Sequence, residues 1–167
     1  MVELDTWKIG TRAIVLANAL GLNRATLRAT LAALIDANLV IPNPGYGHPL
    51  RPEYVLTPSG KRVAPLCSRF ERLISELEVG SVAHRKWTAP ILFALRSAQS
   101  RFNQIQKMLT GISPRALTTA LRALTEVALV NRAVDDGYPP TTTYELSSTG
   151  QRLADVIGGI ADAYIGD

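Results

Sequence analysis

The chain has one cysteine and two histidines among 167 residues, too few for several common kinds of site. The lone Cys67 excludes a disulfide within the chain and suits a reducing compartment, so we expect a cytoplasmic protein. His48, Cys67 and His84 do not have the spacing of a usual zinc site, so we predict no metal. The sequence also lacks a phosphate-binding glycine loop, a nucleophile–base motif and a metalloprotease motif. We therefore expect no cofactor and no enzymatic activity.

Long apolar runs and aromatic side chains are also scarce. No apolar run approaches the roughly 18 residues of a membrane helix, and residues 1–20 contain charges instead of the apolar core of a signal peptide. We expect no membrane association. Aromatic residues make up 6% of the chain and hydrophobic residues 47%. The core should therefore consist mainly of Leu, Ala, Val and Ile, which favours helices.

Positive charge is concentrated in one stretch of the chain. Between Arg85 and Arg132 there are eight basic residues and one acid, Glu126, for a net +7. Since the whole chain carries +4, the remainder sums to −3. Arginine outnumbers lysine 14 to 4, and its planar fork suits phosphate and guanine. A GC-rich genome that favours arginine codons is an alternative reason for the arginine excess.

One pattern occurs twice, at an offset of 90 residues and without a gap. The matched pairs are Gly21/Gly111, Leu27/Leu117, Leu31/Leu121, Leu34/Leu124, Leu39/Leu129, Val40/Val130, Gly47/Gly137, Pro49/Pro139, Tyr54/Tyr144, Leu56/Leu146, Gly60/Gly150, Arg62/Arg152 and Ala64/Ala154. Such self-similarity predicts two copies of one small domain. We place the boundary near residue 80, which gives domains 1–80 and 81–167.

Each copy has the pattern of a winged helix-turn-helix: helices, then two strands joined by a turn, then a helix. In the second copy the predicted elements are helix Arg85–Ser97, helix Phe102–Leu109 capped by Ser100, helix Ser113–Val127, strands Leu129–Val134 and Thr141–Leu146, and a helix that begins at Ser148 or Thr149 and reaches Tyr164. The first helix should have an apolar face of Trp87, Ile91, Leu92 and Leu95, and the second should have Phe102, Ile105, Met108 and Leu109 inward. The third should have Ser113 as its cap, Pro114 at its first position, and a buried stripe of Leu117, Leu121 and Leu124. In the first copy the predicted elements are helix Thr11–Leu20, helix Asn23–Asn38 with Asn23 as its N-cap, strands Leu39–Ile41 and Glu53–Leu56, and a long helix Pro58–Leu77. The predicted fold is mainly α with small β wings, as two winged helix-turn-helix domains joined by a long helix. The first copy lacks a full first helix.

The third helix of the second copy is the candidate for reading double-stranded DNA, since a helix-turn-helix lays this helix in the major groove. Its predicted exposed face carries Ser113, Arg115, Thr118, Thr119 and Arg122. The basic residues Arg101, Lys107 and Arg132 flank it and suit phosphate contacts. The alternative interpretation is an ordinary solvated face of an amphipathic helix.

The corresponding helix of the first copy is less suited to reading bases. Its residues at the positions of Arg115, Thr118, Thr119 and Arg122 are Ala25, Arg28, Ala29 and Ala32. Arg24 and Arg28 leave a secondary DNA contact open, and a packing role is the alternative. Elsewhere, the aromatic residues Trp7, Trp87, Phe93 and Phe102 suggest a small-molecule pocket for an effector, with core packing as the ordinary explanation.

An ordered set of motifs runs through residues 85–154, namely Lys86-Trp87-Thr88, Ile91-Leu92, Arg101-Phe102, Gly111-Ile112-Ser113-Pro114, Leu117, Leu121, Leu129-Val130, Arg132, Pro139-Pro140, Tyr144-Glu145-Leu146 and Thr149-Gly150. The resemblance that this set carries is to the HxlR-type winged-helix regulators of bacteria. It implies a homodimeric transcription factor whose third helix enters the major groove and whose outer helices form the dimer.

Two features depart from that family. Its members usually carry one winged domain, and some sense oxidants through a cysteine just before the first helix. Here Cys67 lies twenty residues before Trp87, so that mechanism does not carry over. The second copy leaves open whether two chains form a homodimer or one chain forms a pseudo-dimer. It also leaves open a non-DNA function, in which paired winged folds bind a ligand or a protein.

Overall fold

A computed structural model of the chain describes residues 11–43, 53–138 and 140–166. It forms two compact units, Met1–Arg69 with Ile160–Asp167, and Phe70–Gly159. The division lies between Arg69 and Phe70, inside the helix Pro58–Glu76, whereas the predicted boundary is near residue 80. The last turns of that helix belong to the second unit, where Glu76 pairs with Arg152 at 3.6 Å and Glu71 contacts His84 at 3.2 Å.

The order of elements in the first part of the chain recurs in the second part, where two further helices precede it. The first set is β1 (Thr11–Arg12), α1 (Ala13–Leu20), α2 (Arg24–Asp36), β2 (Val40–Pro42), β3 (Glu53–Leu56) and α3 (Pro58–Glu76). The second set is α4 (Gly80–Ala83), α5 (Thr88–Ala94), β4 (Ser100–Arg101), α6 (Phe102–Met108), α7 (Pro114–Glu126), β5 (Val130–Asp135), β6 (Thr141–Leu146) and α8 (Ser148–Ile165). In the described part of the chain no helix is long and apolar enough to cross a membrane.

The first unit is organised around α2, whose start and buried face follow from its sequence. The Asn23 side chain accepts a hydrogen bond from the Thr26 amide at 2.9 Å, which caps the helix. Leu27 and Leu31, one turn apart, are both buried. They join Leu16 and Val40 in the core. Asn23 is thus confirmed as the predicted cap.

The second unit contains the larger share of deeply buried leucines. Ser113 accepts a hydrogen bond from the Ala116 amide at 3.2 Å, and Pro114 takes the first helical position of α7, as predicted. Leu117, Leu121 and Leu124 form the buried stripe of this helix. On α5, the face predicted from Ile91, Leu92 and Leu95 is buried as well.

Several predicted details of the second copy are wrong. Ser100 is not a helix cap, because it lies in β4 opposite Tyr144, and the Arg101 amide donates instead to Gln104 Oε1 at 2.7 Å. Met108, predicted to face inward, is exposed. The first helix is also shorter than Arg85–Ser97. The buried Thr88 hydroxyl donates to the Val82 carbonyl at 2.7 Å, which holds a turn ahead of α5.

Each unit contains a three-stranded antiparallel sheet, with strand orders β1-β3-β2 and β4-β6-β5. Val40 pairs with Leu56 and Val130 with Leu146, so the 90-residue offset holds across the wings. Before the interhelical turn the offset is 89, since Thr11 lies opposite Tyr54 and Ser100 opposite Tyr144. The second unit has the extra residue in the turn that precedes Gly111.

The joint between the last strand and the following helix is built in the same way twice. The hydroxyls of Thr57 and Ser147 each donate at 2.7 Å to a carbonyl, that of Asn38 or Ala128. Each hydroxyl oxygen also accepts from a glycine amide at 2.9 Å, Gly60 or Gly150. A Cβ on Gly150 would overlap the Leu129 carbonyl oxygen, and a Cβ on Gly60 would overlap that of Leu39. Glycine is therefore required at both joints.

We predict that Gly150→Ala lowers the free energy of unfolding by about 1–3 kcal/mol, because the backbone must move to admit the methyl group. Urea unfolding followed by circular dichroism measures the change. Gly137→Ala is the matched control, since its Cβ would meet only the Asp135 carboxylate at 3.6 Å or more. It should change stability by less than about 0.5 kcal/mol. Equal effects in both variants would contradict the close approach.

Candidate nucleic-acid interface

The face of α7 opposite its leucine stripe is open to solvent. All five predicted residues are exposed, namely Ser113, Arg115, Thr118, Thr119 and Arg122. Leu117 and Leu121 on the other side are almost fully buried. The helix therefore presents one polar, positively charged side, and its apolar side holds it to the unit.

The two threonines of this face have a defined hydrogen-bonding state. The Thr118 hydroxyl donates to the Pro114 carbonyl and the Thr119 hydroxyl to the Arg115 carbonyl, both at 2.9 Å. Because the hydroxyl hydrogens are used, the oxygens remain available as acceptors. Such an acceptor matches the amino groups of adenine and cytosine in the major groove, and the methyl groups match thymine.

The two arginines of this face differ in their partners. Arg122 Nε donates to Glu126 Oε1 at 2.9 Å, whereas Arg115 has no ion-pair partner among the residues that the structure describes. The side chains of Arg122 and Glu126 are 82% and 61% exposed. An exposed pair of this spacing contributes only about 0.3–0.5 kcal/mol. Arg122 can therefore exchange this partner for an anion at little cost. The four-residue spacing of the pair is visible in the sequence and could have predicted it.

The flanking basic residues lie on elements next to α7. Arg101 precedes α6, Lys107 is in its last turn, and Arg132 lies on β5 opposite Tyr144; all three are exposed. The Ser113 oxygen is already used as the helix cap, so its hydroxyl can offer only its hydrogen to a phosphate.

The wing loop contributes little positive charge. Asp135 accepts a hydrogen bond from the Gly137 amide at 3.2 Å, which shapes the turn. Tyr138 next to it is fully exposed. The sequence reasoning did not single out this tyrosine, although a turn-rich loop between two strands commonly exposes its central residue. Pro139 lies outside the described residues.

The aromatic residues predicted to line a pocket lie in different surroundings where the structure describes them. Trp7 lies outside the described residues. Trp87 is half-buried at the start of α5, with Lys86 Nζ 5.0 Å above its ring, whereas Phe93 is exposed and Phe102 begins a different helix. The six-residue separation of Trp87 and Phe93 places them on different sides of the helix. A pocket that involves all four aromatic residues therefore stays a prediction.

A concavity of about 710 Å³ lies instead in the first unit, between α1 and α2. We call it the α1–α2 groove. It is lined by Arg12, Ala13, Ile14, Ala17, Arg24, Leu27, Arg28, Leu31, Ala32, Ile35 and Tyr54. Arg24 and Arg28, the predicted secondary DNA contacts, are exposed at this groove. Among the described residues there is no cluster of three or more His, Cys, Asp or Glu side chains placed to hold a metal ion.

The second part of the chain is similar to known regulators. Residues 82–164 match the model of the family described as HxlR-like helix-turn-helix. The uncharacterized HTH-type transcriptional regulator YvaP of Bacillus subtilis is 31% identical over 58% of this chain and 83% of its own length. YtfH of Escherichia coli, described in the same words, is 30% identical over 46% of this chain and 61% of its own length.

A solved structure shows the same fold. The redox regulator HypR in its oxidized form is similar over 54% of this chain and 93% of that chain, with a TM-score of 0.50 and 24% identity. At this identity the likeness shows the fold alone. From the family match, and from the relative of which four fifths is covered at 31% identity, it follows that the chain belongs to the HxlR-like helix-turn-helix family of transcriptional regulators.

Proposed function

We propose that the protein is a DNA-binding transcriptional regulator whose helix α7 lies in the major groove of double-stranded DNA. The observation that carries this proposal is the exposed Arg/Thr face of α7 opposite a fully buried leucine stripe. This helix lies within the stretch that matches the family. Arg115 and Arg122 are the candidates for guanine, and Thr118 and Thr119 those for adenine, cytosine or thymine. Arg101, Lys107 and Arg132 position the protein through phosphates.

We also propose that the first unit is a degenerate winged-helix copy in a tandem chain. Support comes from the two strand–helix joints with equal hydrogen-bond lengths and from the two sheets of equal strand order. The reading surface is the part that differs, since Ala25, Ala29 and Ala32 stand where the second copy has Arg115, Thr119 and Arg122. The joints retain the structure, whereas α2 has few groups that can distinguish bases.

We infer a homodimer of two chains from the difference between α7, which has candidates for reading bases, and α2, which has alanines at three of those positions. Dimeric readers place two recognition helices about 34 Å apart on DNA, one helical turn. A single chain acting as a pseudo-dimer would have to use α2 at one half-site, where its three alanines offer only methyl groups. Two copies of α7 from two chains avoid this weakness. We also propose that a small-molecule effector regulates DNA binding by the protein.

The second candidate function is a ligand- or protein-binding platform that does not use DNA. The α1–α2 groove favours it, since a cavity of this size is typical of small-molecule sites. The exposed basic face of α7 favours DNA. A titration of the full chain against its own upstream DNA separates the two candidates.

The first prediction for DNA binding concerns the arginines of α7. Arg115→Ala and Arg122→Ala should each weaken binding by about 1–3 kcal/mol and relax the sequence preference at one base position. Fluorescence anisotropy against the preferred site and single-base variants measures both effects. Arg72→Ala, which removes an exposed arginine of α3, is the control and should bind as the unchanged protein does. Unchanged affinity in both α7 variants would remove this helix as the reader.

The Arg122–Glu126 pair gives a second prediction. Glu126→Gln removes a negative charge and the only ion-pair partner of Arg122 among the described residues. We expect DNA binding to tighten by about twofold to fivefold. Combining it with Arg122→Ala tests the mechanism, because the gain should shrink when the released guanidinium is absent. A full gain in that background would assign the effect to charge repulsion alone.

The flanking basic residues give a third prediction. Lys107→Ala and Arg132→Ala should weaken binding to all sequences alike and each lower the slope of log affinity against log salt by about 1. Titrations at four salt concentrations measure the slope. A loss confined to the preferred site would show that these residues read sequence instead.

A further inference from the structure

Three residues that line the α1–α2 groove are alanines that align with larger side chains of the second unit. The strand pairings align Ala13 with Phe102 and Ala17 with Gln106, at the offset of 89 that applies before the turn. On α2, Ala32 stands at the position that Arg122 has on α7, at the offset of 90. At these three positions the lining of the groove therefore has less side-chain volume than the second unit has.

The floor and walls of the groove are apolar. Ala17, Leu27 and Leu31 form a floor that is more than nine-tenths buried, and Ile14 and Ile35 rise beside it. A volume of about 710 Å³ falls within the roughly 300–1,000 Å³ of small-molecule sites. The exposed Ile14 on its edge would lose contact with water if the groove were filled. An apolar body of moderate size fits this surface.

The described residues that line the groove carry charge of one sign. Arg12, Arg24 and Arg28 line it, and none of the described lining residues is acidic. Arg12 already pairs with Glu53 at 3.6 Å, whereas Arg24 and Arg28 have no ion-pair partner in the described parts of the chain. Since they are four residues apart on α2, they project from the same side of the helix. Two unpaired guanidiniums beside an apolar floor are complementary to an anion with an apolar body.

We propose that the α1–α2 groove binds a small amphipathic anion, a molecule with one carboxylate or equivalent group and an apolar body. The apolar body lies on Leu27 and Leu31, and the anionic group contacts Arg24 and Arg28. This site goes beyond the proposed DNA-binding function and does not depend on it, because it lies on another helix and can be measured without DNA. It also accounts for the loss of base-reading residues on α2.

The test uses the full chain and two fluorescent probes of similar shape. Anilinonaphthalene sulfonate carries an anionic group, and phenylnaphthylamine has a comparable apolar body without it. We expect saturable binding of the anionic probe at one site per chain. Arg24→Gln with Arg28→Gln should weaken it at least about fivefold and leave the neutral probe unchanged. Decanoate should displace the anionic probe, and decanol should be much less effective.

Two substitutions locate the site. Ala32→Trp fills the groove and should abolish binding of both probes, whereas Ala29→Trp, on the same helix but outside the groove lining, should leave it unchanged. Arg115→Gln with Arg122→Gln on α7 is the matched charge control and should also leave probe binding unchanged. Circular dichroism of each variant verifies that it is folded.

Three results would overturn the proposal. They are the absence of saturable binding, equal weakening by the α7 variant, and equal effects of the two tryptophan substitutions. The first of these results would have a further meaning if Ala32→Trp also changed the oligomeric state, measured by sedimentation. That result would assign the groove to a second copy of the chain.

Discussion

The burial of three leucines sets the rotation of α7 about its own axis, and the proposed reading surface depends on that rotation. Leu117, Leu121 and Leu124 are almost completely removed from water. Each contributes roughly 1.5–3 kcal/mol when fully buried, far more than any exposed ion pair on the opposite face. The leucines therefore decide which residues face outward. Arg115 and Arg122 face solvent because turning the helix would expose the leucines, and no contact of the opposite face would offset the free energy lost.

The same constraint acts more weakly in the first unit. Leu27 and Leu31 are buried like their counterparts, but Leu34 and Leu39 are only half-buried where Leu124 and Leu129 are fully buried. Ala33 is exposed at the position of the buried Ala123. The apolar contacts that hold α2 in place are retained, while its outer surface differs in chemistry. A scaffold of this kind can exchange one binding function for another without a change in its core.

The sequence predicted features whose signals lie close together in the chain. It missed a strand that depends on a distant pairing partner and a groove lined by small side chains. The caps Asn23 and Ser113 and the leucine stripes were found because their signals lie within one or two turns of helix. The two-residue strand at Ser100 was missed because it forms only by pairing with Tyr144, forty-four residues away. The groove was missed because three of the side chains that line it are alanines, which carry no chemical signal. Only alignment of the two units by their strand pairing shows what those alanines replace.

An anion in the groove and a duplex on the first unit would compete for the same charges. Arg24 and Arg28 are the basic residues of α2, and phosphate and carboxylate use the same guanidinium donors. A ligand changes DNA affinity only to the extent that it binds the free and the DNA-bound protein differently. Competition at these two arginines provides such a difference without any rearrangement of the fold. The effect is limited to the contribution of α2, because the base-reading candidates lie on α7 and keep their own arginines. An anionic ligand would therefore weaken binding to all sequences alike and would not act on Arg115 and Arg122, the proposed readers of sequence.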